Sequence, residues 1–270
     1  MRLRGVWVCG LGLTLAVAAG ACGGGQTPAS ESSAPPAASS TSGGSAKIDP
    51  ATAADIKGTV TVDGTVPTNA RIGMNADPVC ARQVTTPQMT ETYVVGADGK
   101  TLGNVFVYVK DGLGNYVFDP PKEPARIDQK DCRYHPHVFG MQVGQPLEIT
   151  NSDSTLHNIH AMAKNNREFN TGQPIQGMKT THNFTAPEVM VPFKCDVHGW
   201  MNAYVGVLPH PYFTVTDASG TFTLKSLPPG TYTIEAWHER LGTQTQSITI
   251  GAKETKDITF TFKVPAPAAD

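Results

Sequence analysis

Between residues 55 and 263 the apolar residues come in short runs that alternate or carry β-branched and aromatic side chains, and helical periodicity is scarce. Ile56 to Val62, Asn104 to Val109, Pro146 to Thr150, Val189 to Lys194 and Ala203 to Leu208 are such runs, with Gly, Pro, Asn and Asp between them. A period of two sends successive side chains to opposite faces of a sheet. Many short strands with turn residues between them predict packed antiparallel sheets. The expected class is therefore all-β. Met74 to Thr92 and the Pro-rich stretch Asp119 to Pro124 read as loops.

The pattern tightens beyond Pro209-His210-Pro211. Tyr212 to Thr216, Thr221 to Leu224, Thr231 to Trp237, Gln244 to Ile250 and Asp257 to Lys263 read as strands of compact hairpins. Asp217, Gly220, Phe222, Leu224, Leu227-Pro228, Gly230 and Tyr232 form a spaced motif across the first of them. This motif resembles the carboxypeptidase regulatory-like β-sandwich, a transthyretin-like module. The resemblance implies a small sandwich with a structural or adhesive role. Ala236-Trp237-His238 is similar to modules that accompany polysaccharide lyase domains, which keeps carbohydrate as an alternative partner.

The two ends carry a different message. Arg2 and Arg4 precede an apolar run from Val6 to Ala19, of signal-peptide length. Ala19-Gly20-Ala21-Cys22 follows and resembles the lipobox of bacterial lipoproteins, with Ala19 where Leu is usual. The resemblance implies lipidation of Cys22; a plain cleaved signal peptide is the other reading. From Gly23 to about Ala46 the chain is almost entirely Gly, Ser, Ala, Pro and Thr, with Glu31 its only charge. Such a segment buries too little apolar surface to offset the entropy of ordering. The expected layout is a signal peptide over 1–22, a flexible linker over 23–54, one domain over 55–209, a second sandwich over 210–263 and a tail over 264–270. The formal net charge of −2 argues against a nucleic-acid partner.

The chemistry-bearing residues cluster late in the first domain. Cys195, His198 and Met201 have the spacing C-x2-H-x2-M, and His157-Asn158 lies upstream. One thiolate, two imidazoles and one thioether are the ligand set of a blue-copper centre, whereas zinc rarely accepts Met. The paired motifs resemble the amicyanin-like and plastocyanin-like blue-copper proteins (cupredoxins). The resemblance implies a Greek-key β-sandwich holding one type 1 copper. His157, Cys195 and His198 would be equatorial ligands, Met201 the axial one, and Asn158 the residue tying the two ligand loops together. His160 is the rival upstream ligand; on a strand it faces away from His157. His135-Pro136-His137 is a single H-x-H pair and reads as structural, as do His182, His210 and His238. Asp196 and Val197 stand where relatives carry Thr or Ser and Pro. A carboxylate beside the thiolate would favour the oxidised ion and lower the potential.

With Cys195 assigned to metal, and Cys9 and Cys22 in the leader, Cys80 and Cys132 remain as an even pair. They are either a disulfide of an oxidising compartment or two buried thiols. The resulting expectation is an extracytoplasmic, membrane-tethered electron carrier rather than an enzyme. Its redox partners would bind transiently, against copper exposed through one imidazole edge. A carbohydrate-binding or adhesive lipoprotein and a copper-handling protein are the alternatives. Met162, Met178 and Trp200 form either a docking patch or ordinary core.

Overall fold

The computed structural model describes residues 47–266. The signal peptide, the lipidation residue Cys22, the linker up to residue 46 and residues 267–270 lie outside that range. In chain order the described elements begin with β1 (Ala54–Asp63), helix α1 (Pro78–Gln83), β2 (Val94–Val95), β3 (Leu102–Gly103) and β4 (Phe106–Asp111). Then come β5 (Ala125–Lys130), β6 (Arg133–His135), β7 (Val138–Gln142), β8 (Pro146–Asn151) and β9 (His157–Ala161). β10 (Phe169–Gln173), β11 (Lys179–Asn183), β12 (Glu188–Lys194) and β13 (Asn202–Leu208) follow. The chain finishes with β14 (Phe213–Val215), β15 (Thr221–Leu227), β16 (Gly230–His238), β17 (Gly242–Ile250) and β18 (Thr255–Lys263). The class is all-β, as the alternation predicts.

Two sandwiches share this chain. In one, the sheet β15-β1-β18 faces the sheet β14-β4-β16-β17. Its core includes Ile56, Val60, Leu102, Val107, Phe222, Leu224, Tyr232, Ile234, Phe260 and Phe262. In the other, β10-β9-β12-β13-β7 packs against β11-β8-β5-β6 around Ile127, Met141, Leu147, Ile149, Phe184, Val191, Phe193 and Val205.

This division corrects the expected boundaries. β1 pairs in parallel with β18 from Asp55 to Asp63, and β4 lies between β14 and β16. The C-terminal sandwich therefore takes two strands from the region expected to belong to the first domain. The site-bearing sandwich, β5 to β13, is inserted between β4 and β14. β15 and β18 pair with the two edges of β1, and its residues Ile56, Val60 and Val62 are buried in the core shared with the facing sheet. The linker also ends earlier than expected, because Ile48 packs on the same core and the Asp49 carboxylate accepts the Ala51 amide 2.9 Å away.

Strand β4 explains how the sandwiches join. Val107 and Val109 face its own core, while Phe106 and Tyr108 turn outward to Val138, Met190 and Leu208 of the inserted sandwich. Burial on both faces is why this strand reads as a continuous apolar run. Gly206 of β13 sits beside Gly140 of β7 in register. A Cβ added at Gly206 would lie 2.3 Å from the Phe106 ring, and one at Gly140 2.3 Å from Phe213.

The stretch Met74 to Thr92, expected as loop, contains α1. Asp77 caps it by accepting the Val79 amide at 2.6 Å and the Cys80 amide at 3.2 Å, and Pro78 opens its first turn. Among the described residues no helix is long and apolar enough to cross a membrane.

Candidate metal centre

His157 opens β9, and Cys195, His198 and Met201 occupy the loop between β12 and β13. The antiparallel register of β9 and β12 pairs His160 with Lys194. Continuing that register carries His157 past the end of β12, onto the loop. The loop closes on itself: the Met201 amide donates to the His198 carbonyl at 2.9 Å, and the Cys195 amide to the Met201 carbonyl at 3.1 Å. The His198 amide also donates to the Cys195 sulfur at 3.3 Å.

His157, Cys195 and His198 converge, each offering one donor atom within 4.8 Å of the others. The two Nδ1 atoms lie 2.9 Å apart, and Cys195 Sγ is 3.8 Å from His198 Nδ1. All three side chains are buried. Met201 is buried in the same apolar cluster as Cys195. Asn158 joins the two loops: its Oδ1 accepts from Cys195 Sγ at 3.2 Å, the Asp196 amide at 2.8 Å and the Val197 amide at 3.3 Å.

Sequence reasoning missed the residues behind the imidazoles. Asp153 Oδ2 lies 2.9 Å from His157 Nε2, and Asp77 Oδ2 lies 2.9 Å from His198 Nε2. A carboxylate that accepts the far ring N–H fixes the tautomer and turns the Nδ1 lone pair inward. Asp153 is held in turn by the Asp131 and Cys132 amides and the Gln83 amide group. The Asp77-Pro78 pair is a legible helix start, but nothing in the sequence connects it to a histidine 121 positions away.

Charge in the pocket is uneven. Burial opposes ionisation of Cys195, but His157 and the Asn158, His198 and Val197 amides outweigh it and hold the thiol below its usual range. Burial likewise opposes charge on His157, yet Asp153 and Cys195 hold its pKa up at about 9. His198 is pushed down, by burial first and by the neighbouring His157, with Asp77 offsetting part of this. Asp77 stays ionised with a pKa of about 2: burial would raise it, and hydrogen bonds from His198, Thr155, Val79 and Cys80 prevail. Asp153 is also held below its usual range: burial raises it, and His157 with the Cys132 amide and Gln83 outweighs that. Two carboxylates, Asp153 and Asp77, thus stand behind the two imidazoles.

The expected exposed imidazole edge is absent. His198 is only 2 % exposed, because Asp77 and α1 lie over it. Cys80 and Cys132 are bonded, with S–S 2.01 Å, and fasten α1 to the inserted sandwich. Cys80 Sγ lies 3.8 Å from His198 Nε2.

The remaining histidines stand apart. His160 Nδ1 is 3.0 Å from Asp196 and its Nε2 meets Glu168, so it points away from the sulfur. Asp196 is drawn to Lys194, Asn170 and His160, which hold its pKa near 2. His137 bridges the Asn202 carbonyl and Glu239, and His182 stacks on Phe169. Trp200 packs against His198 and donates to the Cys132 carbonyl, so it belongs to the covered site. Met162 is 36 % exposed, on the surface.

The family model of the carboxypeptidase regulatory-like domain matches residues 201–263. The match begins at Met201, just before β13 of the inserted sandwich, and does not include β1 or β4. No curated protein matches the chain. Among solved structures, the copper-containing nitrite reductase from Thermus scotoductus SA-01 is similar at 20 % identity and TM-score 0.31, over 36 % of this chain. The chain spans only 24 % of that reductase. A purple cupredoxin from Nitrosopumilus maritimus aligns at 26 % identity and TM-score 0.27, over 31 % of this chain and 98 % of its own. A Cu(I) amicyanin variant aligns at 17 % identity and TM-score 0.29, over 37 % of this chain and 97 % of its own. Residues 201–263 are thus similar to a carboxypeptidase regulatory-like domain, and cupredoxins are among the structural neighbours of the chain.

Proposed function

We propose that the inserted sandwich holds one copper ion and that the protein carries single electrons. The observation that supports this is the convergence of His157 Nδ1, His198 Nδ1 and Cys195 Sγ in one buried pocket. His157, His198 and Cys195 would hold the ion, with the Met201 thioether as the weak fourth donor. Thiolate and thioether suit a soft ion, and imidazole suits both copper oxidation states. The carboxylates of Asp153 and Asp77 behind the imidazoles suit a cation and favour its more positive state. Copper bound there supplies a reversible one-electron couple.

The residues around the ion have definable tasks. Asp153 and Asp77 hold the imidazoles by their far nitrogens. Asn158 keeps the Cys195 loop against β9. The apolar side chains of the core exclude water. The reading is a carrier rather than an enzyme, because a one-electron couple needs no bound substrate. The leader and linker read from the sequence support a carrier outside the cytoplasm, tethered through Cys22, with transient protein partners. The disulfide is consistent with such an oxidising compartment.

Cu(II) added to the purified chain tests the proposal. An intense visible thiolate-to-copper band, lost in Cys195→Ser, is expected. A colourless wild-type protein that binds no copper tightly would overturn it.

A further inference from the structure

Both imidazoles of the candidate centre are tied to one short helix that lies outside the site-bearing sandwich. Asp77 divides its carboxylate: Oδ1 caps α1 through the Val79 and Cys80 amides, and Oδ2 accepts from His198 Nε2 and from Thr155 Oγ1, each at 2.9 Å. At the other end of α1, Gln83 donates to Asp153, which holds His157. The Cys80–Cys132 bond and the indole of Trp200, which donates to the Cys132 carbonyl at 2.9 Å, brace the helix from the side. The ring edge of His198 that would otherwise meet solvent is thereby shut.

We propose that Asp77 is a positioning residue for the metal centre, and that the α1 cap it belongs to shields the His198 edge from contact by other proteins. This rests on the copper reading above. The Asp77 oxygen orients His198 so that its Nδ1 faces Cys195 and His157, and it adds a negative charge behind the second imidazole. Electron exchange must then cross the cap, because no partner can touch the ring of His198 directly. A carrier built this way exchanges slowly with its own kind and selects partners by their fit to the cap.

The test uses the copper-loaded full chain with Asp77→Ala and Asp77→Asn. Asn preserves the helix N-cap, so Asp77→Asn reports the lost charge without loss of the helix. Both variants are expected to weaken Cu(II) relative to Cu(I) about tenfold, a rise of ~59 mV in potential. Electron self-exchange, read from NMR line broadening, is expected to rise at least tenfold in Asp77→Ala and less in Asp77→Asn. In the metal-free chain, ¹⁵N shifts of His198 should show loss of the fixed Nε2–H tautomer in Asp77→Ala. A wild-type protein with the thiolate-to-copper band, whose potential, self-exchange and His198 tautomer are all unmoved by Asp77→Ala, would overturn the inference alone. Absence of that band in the wild type would instead sink the copper reading, and this inference with it.

Discussion

His157 and His198 face each other through their Nδ1 atoms at 2.9 Å, so one of the two nitrogens must carry a proton for the other to accept. A metal ion drawn to these lone pairs must displace that proton. Copper loading is therefore expected to release protons, and affinity to rise with pH up to about 9, where His157 loses its charge. Calorimetric titration in buffers of different ionisation enthalpy measures the release. Affinity that does not change from pH 6 to pH 8 would contradict it.

Asn158 Oδ1 gathers three donors from the Cys195 loop. Asn158→Ala leaves the buried sulfur and two amides without their acceptor, at a cost of about 1–3 kcal/mol. The expected readouts are lower stability to urea and a broadened thiolate-to-copper band, since the loop loses its tie to β9.

The Phe106 ring lies on the paired glycines 140 and 206. Gly206→Val would drive a side chain into that ring, with an overpacking cost of about 1–3 kcal/mol. The effect should shrink in a Phe106→Ala background, where the ring is gone. Urea unfolding of the two single variants and the double variant measures this coupling; equal cost in both backgrounds would place the strain elsewhere.

Breaking the Cys80–Cys132 bond frees a separation of 52 residues. The chain-entropy relation gives about 4 kcal/mol for such a loop. The Cys80→Ser/Cys132→Ser variant is expected to lose thermal stability by that order, yet to keep its thiolate-to-copper band because Cys195 is untouched. Thermal melts and visible spectra read the two effects separately.

His210 and His238 are buried and their pKa values are pushed down to about 4 by desolvation. The unfolded chain binds their protons near pH 6.5 and the folded chain does not. Stability from these groups is therefore complete above pH 6.5 and lost as pH falls toward 4. The loss is on the order of 3 kcal/mol for each. Urea midpoints at pH 7, 5.5 and 4.5 should fall in that order, and His210→Gln should flatten the slope.

Much of the fold was legible because the strands obey local rules. The period-two runs from Ile56, Pro146, Val189 and Ala203 each became a strand with close to the expected bounds. So did the hairpins from Tyr212 to Lys263. What stayed hidden was partner choice. Nothing local tells Ile56 to pair with Lys256 or Phe106 to pair with Trp237, so the insertion was invisible. Strand β10 was also missed, because Asn170 and Gln173 interrupt the alternation with polar side chains that bond Asp196, Asn158 and Gln129. The ligand set itself could be read from spacing, since Cys195, His198 and Met201 share one loop. Asp77 and Asp153 act on the imidazoles across distances that only the folded chain defines.

Strand β14 returns beside β4, with Phe213 opposite Tyr108 and Val215 opposite Phe106. The chain thus leaves and re-enters the outer sandwich at neighbouring points, about 4.8 Å apart. The Val109 amide donates to the Tyr212 carbonyl at 3.0 Å, so a turn of about three residues between them would bridge the gap, and the metal-bearing module has the anatomy of a removable cassette. Its seat on the host is the bed of aromatic rings around Phe106, and the same two crossing points could accept a different cassette without rethreading the host.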